Sequence, residues 1–321
     1  MNAPPEPFTS AVRLRVVRHE PAAQGVTLIE LEPDDGQPLR PFRAGAHLAL
    51  ELNAGVRQYS LCNGPAETVR YRLAVRLEAD GRGGSREVCE DLQAGSTLNA
   101  SGPFNHFPLE EDDPCPLLIA GGIGITPLLA MAREREAQGR AFELHYSGRS
   151  QAGMAFHEEL SGRGDGQVFC YADGVRMDLE QVIPSPSARH LYVCGPARLI
   201  DAVLAVARGK GWSDAQVHFE RFGAEAPAAL DGDGAFEVQI KSSGEVIAVG
   251  AEESVADALQ RHGLYINLSC GSGVCGSCRL GVLDGDVDHR DYFFSPQEQA
   301  ANDQFTPCCS RARSARLVLD L

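Results

Sequence analysis

Four cysteines in the last third of the chain constrain the fold more than any other feature of the sequence. Three of them follow the spacing C-x4-C-x2-C within residues 269–278, and a fourth comes from the adjacent pair at 308 and 309. Thiolates at this spacing are ligands of a [2Fe–2S] cluster. A structural zinc ion is the alternative, but zinc sites are usually built from two cysteine pairs, whereas these thiols divide three and one. The sequence therefore predicts an iron–sulfur cluster held by Cys270, Cys275, Cys278 and either Cys308 or Cys309.

The loop that carries the first three cysteines is rich in glycine, with Gly271, Gly273 and Gly276 between the thiols. Glycine adopts positive φ at little steric cost, which lets a short backbone curl closely around a cluster. The N–H groups of such a loop can point at the cluster sulfurs and influence the reduction potential. We therefore expect left-handed backbone at these glycines.

The length of the chain shows that the cluster-binding segment is only one part of the protein. A chain of 321 residues suggests two or three domains. The formal net charge of −15 argues against binding to nucleic acid or to an anionic membrane surface. An acidic surface suits a basic protein partner, but it is equally common in proteins that have no such partner.

Cysteine usage and apolar segments indicate a cytoplasmic protein. The six remaining cysteines form no disulfide framework, so reduced thiols are predicted at Cys62, Cys89, Cys115, Cys170, Cys194 and one of the adjacent pair. The first seven residues lack the basic start and apolar run of a signal peptide. The longest apolar stretch, at 116–132, is too short to span a membrane, and we expect no membrane segment.

Residues 1–109 are predicted to form an antiparallel β-barrel, because short alternating or apolar runs are separated by turns. In one run Arg57 and Tyr59 lie two positions apart, which places both side chains on the same face of a strand. A guanidinium can bind a phosphate through two hydrogen bonds, and a phenol ring can lie against a flat cofactor. The pair alone is weak evidence, because an exposed arginine and a tyrosine in a barrel are common.

A glycine-rich turn downstream supplies a second phosphate-compatible feature. Gly83, Gly84 and Ser85 open a short predicted helix that ends near Leu92, and such helix starts bind anions. The ordinary alternative is a polar hairpin loop. Two such features in one barrel favour a site for a flavin phosphate.

Residues 114–222 are predicted to form an α/β domain with a parallel sheet. An apolar strand at 116–120 is followed by a turn with Gly122, Gly124 and Thr126 and then by a helix, a pattern that suggests a nucleotide site. Pro127 stands where the third glycine of G-x-G-x-x-G would be, so the standard fingerprint is absent. Cys194 lies at the end of a later strand, at the edge of the sheet where a nicotinamide would bind. A small buried residue that only closes the strand is an equally good interpretation of this position.

The order of these motifs resembles a known superfamily. Arg57-Gln58-Tyr59-Ser60, the turn at 121–127 and Cys194-Gly195-Pro196 occur in the order of the ferredoxin–NADP⁺ reductase superfamily. The plant-type ferredoxin at the C-terminal end is similar to that of the phthalate dioxygenase reductase family. Segments 57–63, 81–85, 218–224, 288–291 and 317–321 also resemble that family, so the resemblance covers essentially the whole chain.

This resemblance implies a multidomain fold and a set of cofactors. The parts are an antiparallel β-barrel that binds FMN at 1–109, an NAD-binding α/β parallel-sheet domain at 114–222 and a C-terminal β-grasp ferredoxin domain at 235–321. An Ala/Pro/Gly-rich linker at about 223–234 precedes the last domain. The resemblance assigns the fourth cluster ligand to Cys308 and leaves Cys309 as a small buried residue. The cofactor-binding residues it implies are Arg57, Tyr59, Ser60, Leu61, Ala74, Val75, Gly83, Gly84, Ser85, Gly122, Gly124, Thr126, Cys194 and Phe222.

The function implied by the resemblance is transfer of electrons from NADH through FMN and [2Fe–2S] to a separate Rieske-type oxygenase, and the protein is expected to be a monomer. A flavin can accept a hydride and release single electrons, so no catalytic acid or base is assigned. The alternatives are a reductase for a non-Rieske monooxygenase and a redox-sensing electron carrier. The resemblance implies that NADH is preferred over NADPH, and Asp173 after one strand would repel the 2′-phosphate of NADPH, although Arg149 after the preceding strand would attract it.

Overall fold

The computed structural model describes residues 11–79, 81–161, 167–222, 233–266, 268, 271–274 and 276–321. The chain divides into two compact units, Met1–Arg221 and Phe222–Leu321. The first unit contains the predicted barrel and the predicted α/β domain, and the second contains the cysteine-rich segment. The predicted linker lies outside the described residues except for Asp233 and Gly234.

The first sheet of the first unit is antiparallel throughout. Its strands are β1 (Val12–Ala23), β2 (Val26–Pro33), β3 (Ala46–Leu52), β4 (Gly55–Ser60), β5 (Tyr71–Arg76) and β6 (Thr97–Asn105). They pair in the order β4-β3-β6-β1-β2-β5. Leu61, which follows β4, forms an antiparallel bridge with Leu73 of β5, so the two edge strands meet. The sheet therefore curls into the predicted barrel, and apolar side chains such as Leu14, Val16 and Leu48 fill it.

A short helix, α1 (Gly84–Arg86), continues into a π-helical turn at Glu87–Asp91 and ends at Leu92. Gly83 precedes α1 with φ of 85°, a left-handed conformation that glycine adopts without a steric penalty. The buried Val88 packs this segment against the barrel core. The helix predicted to begin in the glycine-rich turn is therefore present.

The second sheet of the first unit is parallel. Its strands are β7 (Leu117–Gly121), β8 (Glu143–Ser147), β9 (Val168–Tyr171), β10 (Leu191–Gly195) and β11 (Val217–Arg221), in the order β11-β10-β7-β8-β9. The helices between them are α2 (Ile125–Ala137), α3 (His157–Ser161), α4 (Leu179–Val182) and α5 (Ala197–Gly209). Every residue of β7 is buried, as expected for a central strand covered on both faces.

The second unit is built on a mixed sheet. Its strands are β12 (Phe236–Ile240), β13 (Val246–Val249), β14 (Leu280–Asp284), β15 (Val287–Asp288), β16 (Gln304–Phe305), β17 (Arg311–Ala312) and β18 (Arg316–Leu319). The main sheet has the order β13-β12-β18-β14-β16, in which β12 and β18 are parallel and the other pairs are antiparallel.

Two helices complete the second unit, α6 (Val255–Arg261) and α7 (Pro296–Ala301). Ser254 caps α6, because its hydroxyl accepts the N–H of Asp257 at 3.1 Å, as the sequence predicts. Apolar residues of α6 and of the sheet share one core, in which Leu259 and Val238 are fully buried. A sheet with one helix packed across it is the predicted β-grasp arrangement.

The segment at 288–291, which was singled out by its resemblance, anchors the start of the second unit. Arg290 donates from Nη1 to Oδ2 of Asp233 at 2.8 Å and from Nε to Oδ2 of Asp288 at 2.7 Å. Arg311 donates from Nη2 to the carbonyl of Gly234 at 3.1 Å. Arg290 also donates from Nη2 to Oδ1 of Asp233 at 2.5 Å, and this two-point contact with one carboxylate is among the stronger hydrogen-bonded pairs in proteins. None of the helices in the described ranges is long and apolar enough to cross a membrane.

Candidate functional site

The glycines of the cysteine-rich loop have the backbone that the sequence predicts. Gly271, Gly273 and Gly276 have φ of 70°, 72° and 65°. Close contacts add a second reason for glycine. A Cβ at Gly273 would lie 2.4 Å from Sγ of Cys309, and a Cβ at Gly276 would lie 2.4 Å from the ring of Phe293. The loop is therefore left-handed at these glycines, and it also packs closely against Cys309 and Phe293.

Three of the cysteines in this region are described, and all are buried. Cys278 is 3% exposed, and Cys308 and Cys309 are each 7% exposed. The predicted ligands Cys270 and Cys275 lie outside the described residues. Among the residues that are described, no group of three or more metal-binding side chains is found. Buried thiols beside a loop of left-handed glycines are a donor set that fits a [2Fe–2S] cluster.

Cys309, the thiol not assigned to the cluster, has polar neighbours. Its Sγ lies 3.2 Å from Oγ1 of Thr306 and 3.9 Å from Oγ of Ser310. Ser310 donates to Oδ1 of Asp291 at 3.3 Å, and the backbone of Asp291 borders Gly273. Cys309 is therefore a buried member of a hydrogen-bonded network behind the loop, whereas the sequence predicted only a small buried residue. The assignment of Cys308 as the fourth ligand stays a prediction.

The two phosphate-compatible features of the barrel lie together. A Cβ added to Gly84 would be 2.5 Å from Cγ of Arg57, so the arginine stem lies directly over the glycine backbone. The guanidinium donates from Nη2 to the carbonyls of Ala54 at 2.7 Å and Arg82 at 3.1 Å. Burial, with the nearby Arg82, lowers the pKa of Arg57 from its ordinary value. The hydroxyl of Ser85 accepts the N–H of Glu78 at 3.1 Å.

This arrangement fits a flavin phosphate. The N-terminal end of α1, a left-handed glycine and an arginine come together at one place, and only a residue without Cβ permits the contact at Gly84. Anions bind readily where backbone N–H groups at a helix start lie beside a cation.

Five of the predicted cofactor-binding residues, Tyr59, Ser60, Leu61, Ala74 and Val75, divide between two faces of the barrel wall. Tyr59 is half-buried, and burial raises the pKa of its phenol. Ser60 is 6% exposed at the end of β4. Leu61 and Val75 are buried in the barrel core, whereas Ala74 belongs to the apolar cluster that includes α2. The side chains of Leu61 and Val75 therefore point away from any ring on the Ala74 side, and these two residues can contribute only backbone groups there.

The glycine turn after β7 owes its composition partly to packing. A Cβ at Gly124 would lie 2.3 Å from the carbonyl oxygen of Cys194, so this glycine lets the turn press against β10. Gly122 has φ of 54° and faces open space, with only Arg76 near it at 3.9 Å. Thr126 is 2% exposed, and its hydroxyl donates to the carbonyl of Ile123 at 3.1 Å. Of the three predicted residues, Gly122 alone lines open space.

That open space is a cleft of about 1080 Å³ at the carboxyl ends of the parallel strands. Gly121 and Gly122 line it, together with residues that follow β8, β9 and β10 and with Val26 and Arg76 of the barrel. Ligands of open parallel sheets bind at this edge, and the volume suits a dinucleotide.

The sequence assigned no role to Glu220, which the structure places at the end of the same sheet. Glu220 pairs in register with Cys194 on the neighbouring strand, and its Oε2 accepts the hydroxyl of Ser60 at 3.5 Å. Burial raises the pKa of Glu220 to about 8, and burial beside this carboxyl also raises the pKa of Cys194. Ser60, Cys194 and Glu220 thus form a cluster where the barrel meets the sheet. The sequence feature that could have indicated this cluster is the position of Glu220, two residues before Phe222. Phe222 follows β11 and is 39% exposed.

Comparison with known proteins agrees with this architecture. The family model described as "2Fe-2S iron-sulfur cluster binding domain" matches residues 238–313. Vanillate O-demethylase oxidoreductase from Pseudomonas putida is 46% identical over 95% of this chain and 98% of its own. The solved structure titled phthalate dioxygenase reductase, "a modular structure for electron transfer from pyridine nucleotides to [2Fe-2S]", is 38% identical, with a TM-score of 0.74 over 97% of this chain and 98% of that one.

A second similar structure is that of a larger protein. It is an intact type IV self-sufficient cytochrome P450 monooxygenase, 37% identical with a TM-score of 0.85 over 97% of this chain and 41% of that one. A curled antiparallel domain, a parallel α/β sheet and a [2Fe–2S] domain in one chain define an oxidoreductase of the ferredoxin reductase type. The chain belongs to the phthalate dioxygenase reductase family, which includes the vanillate O-demethylase oxidoreductases.

Proposed function

We propose that this protein is an NADH-dependent reductase that carries FMN and a [2Fe–2S] cluster and delivers electrons to a separate Rieske-type oxygenase. The observation that supports this proposal best is that one chain contains three sites, which fit the flavin phosphate, a dinucleotide and a [2Fe–2S] cluster. These are the Arg57–Gly84 phosphate site, the cleft at the sheet edge and the buried thiols of the glycine loop. The domains are proposed at 1–109, 114–222 and 235–321.

Each site has a proposed role. Arg57 and the backbone at Gly83–Ser85 would bind the FMN phosphate, and Tyr59 and Ala74 would contact the ring. The glycine turn and the start of α5 would hold the pyrophosphate of NADH, since helix starts bind phosphate. Cys270, Cys275, Cys278 and Cys308 would hold the cluster.

Glu220 and Ser60 are proposed to control a proton at the redox site. With a pKa of about 8, the Glu220 carboxyl is mainly protonated at neutral pH. A neutral carboxyl beside Ser60 adds no negative charge where a hydride must arrive, and it keeps a proton within hydrogen-bonding distance of the serine hydroxyl. Cys194, with its pKa raised by burial, stays a neutral thiol that excludes water. The flavin supplies the conversion of two-electron to one-electron chemistry when bound.

The electron acceptor is proposed from the relatives. Their names describe reductases of demethylase and dioxygenase systems, and this chain spans nearly their full length, so the oxygenase would be a separate protein. A non-Rieske monooxygenase is the second candidate, because the P450 structure contains a similar segment within one longer chain. The protein is proposed to be a cytoplasmic monomer.

The proposal is tested with the purified holoprotein. NADH should reduce cytochrome c rapidly and should support turnover by a purified Rieske oxygenase in the presence of this reductase. Slow reduction of cytochrome c would favour a redox sensor, and support of a P450 but of no Rieske oxygenase would favour the second candidate. Gel filtration with light scattering measures the oligomeric state.

A further inference from the structure

A buried carboxylate, that of Asp291, lies behind the cysteine-rich loop, and the proposed function gives it no role. Its side chain has no exposed surface. Oδ2 accepts the backbone N–H groups of Phe293 at 3.2 Å and Phe294 at 2.8 Å. Oδ1 accepts the hydroxyl of Ser310 at 3.3 Å, and Nδ1 of His289 lies 3.3 Å from the same oxygen. Hydrogen bonds to the ionised form of a carboxylate stabilise it, so Asp291 carries a buried negative charge.

The charge of Asp291 is held by hydrogen bonds and not by an arginine or a lysine. Among the residues that the structure describes, its only contact at ion-pair distance is with the ring of His289. The neighbouring Arg290 is directed at Asp233 and Asp288 instead. A buried charge without a guanidinium or ammonium partner keeps much of its electric field, because its surroundings screen it far less than water does.

Asp291 connects the two segments that carry the predicted cluster ligands. A Cβ at Gly273 would lie 2.9 Å from Cα of Asp291, so the glycine loop packs directly against this residue. The N–H of Tyr292 also donates to the carbonyl of Gly273 at 2.9 Å. On the other side, Ser310 donates to the carboxylate and lies two residues after Cys308. A displacement of Asp291 would therefore move the glycine loop and the segment of Cys308 together.

The hydrogen-bonded network extends from the carboxylate to the thiol next to Cys308. Oγ of Ser310 lies 3.1 Å from Oγ1 of Thr306, and that oxygen lies 3.2 Å from Sγ of Cys309. Thr306 is 0% exposed and Ser310 is 1% exposed. Solvent therefore has little access to the residues that lie between Asp291 and Cys309. An electron that arrives at a cluster here adds negative charge to a poorly screened region that already contains one carboxylate.

We propose that Asp291 is a positioning residue of the iron–sulfur site, which joins the two ligand-bearing segments and lowers the reduction potential of the cluster through its negative charge. The inference rests on the proposed function, because it requires a [2Fe–2S] cluster at the predicted thiols. Net charge and hydrogen bonding near a cluster are among the factors that set its potential. With the carboxylate in place, the reduced cluster is a stronger electron donor to its partner than it would be without that charge.

The experiment is a redox titration of the full-length holoprotein, in which the EPR signal of the reduced cluster is measured. Asp291→Asn keeps the shape of the side chain and removes its charge. At a fixed solution potential, this variant should show a ratio of reduced to oxidised cluster about tenfold higher than the wild type, which is about 59 mV for a one-electron couple. Ser310→Ala keeps the charge and should change the ratio by less than about threefold, the effect of one neutral hydrogen bond. Asp284→Asn is the matched control, because Asp284 is an exposed aspartate at the end of β14.

An unchanged potential in Asp291→Asn with a full complement of iron would overturn the inference, as would an equal shift in Asp284→Asn. If Asp291→Asn loses its cluster, Asp291→Glu supplies the second measurement, because it restores the charge. A cluster that Asp291→Glu retains at a potential close to that of the wild type supports the role of the carboxylate, whereas loss of the cluster in both variants counts against it. Failure of the proposed function looks different, because the wild-type protein would then contain no [2Fe–2S] signal at all.

Discussion

Replacing Glu220 by glutamine should remove a pH dependence of stability that the buried carboxyl imposes on the first unit. The carboxyl has an ordinary pKa of 4.5 and a pKa of about 8 in the folded protein, because it is buried beside Ser60 and Cys194. The folded state therefore keeps this proton over a pH range in which the unfolded chain has lost it. Stability must fall as the pH rises through the window from 4.5 to about 8, and the decline must level off above it.

The size of the effect follows from the same shift. One pKa unit corresponds to about 1.4 kcal/mol, so the wild-type protein should lose at most about 2.7 kcal/mol of unfolding free energy between about pH 6 and pH 9. Glu220 is partly accessible to solvent as a whole residue, which reduces the expected loss to roughly half of that value. Glu220→Gln keeps the shape and the hydrogen bond from Ser60 but cannot ionise, so it should lose less stability over this range than the wild-type protein, by the amount that the carboxyl contributes.

Urea unfolding of the holoprotein, followed by release of flavin fluorescence, measures the stability of the first unit at each pH. Glu158→Gln is the control, because Glu158 is an exposed carboxylate in the first turn of α3. The control should keep the wild-type pH dependence. If the wild-type protein and Glu220→Gln lose stability in parallel, the carboxyl ionises as it would in water, and the proposed proton at Ser60 is wrong.

Three further predictions concern the cofactors and the order of electron transfer. Flavin released by heating should run with FMN in chromatography, and FAD as the main species would refute the Arg57–Gly84 phosphate site. Cys308→Ser should bleach or destabilise the cluster, while Cys309→Ser should keep the EPR signal of the reduced cluster; the opposite pattern would reverse the assignment. A truncated chain that ends near Ala228 and retains FMN should reduce ferricyanide with NADH but lose most cytochrome c reduction and all support of an oxygenase. Near-normal oxygenase turnover by that truncated chain would contradict the path from NADH through FMN to the cluster.

The local conformations of the fold were predictable because they depend on short-range rules. Left-handed backbone at Gly271, Gly273 and Gly276 follows from the need of a loop to curl between close thiols, and the cap at Ser254 follows from its position before an apolar run. The alternation of side chains between the two faces of β5 could also be predicted from the sequence. Since Ala74 and Val75 are consecutive, only one of them can face a ring with its side chain.

The missed features depend on contacts between residues far apart in the chain. Gly124 is required because the carbonyl of Cys194 approaches it from another strand, and no local pattern contains that contact. Glu220 acquires its raised pKa only when the barrel brings Ser60 beside it. Asp173 has a left-handed φ of 52°, and its Oδ2 accepts the N–H of Gln151, a residue of another loop, at 3.3 Å, so its orientation depends on a contact that no local pattern contains.

The state of the cysteines makes chemical labelling a direct measure of cluster occupancy. Only a thiolate reacts readily with alkylating reagents. Burial raises the pKa of Cys62 to about 12 and raises that of Cys194 well above its ordinary value. The pKa values of the half-buried Cys89, Cys115 and Cys170 are raised for the same reason.

These five thiols should therefore react slowly with iodoacetamide at neutral pH while the protein stays folded. The cluster thiols are protected by iron when the cluster is bound and become available when it is lost. Mass-spectrometric measurement of alkylation at the four predicted ligands, Cys270, Cys275, Cys278 and Cys308, under native conditions would then report the fraction of molecules without a cluster. Loss of the cluster during storage or turnover could be followed in this way in samples where the flavin masks the absorbance of the iron–sulfur centre.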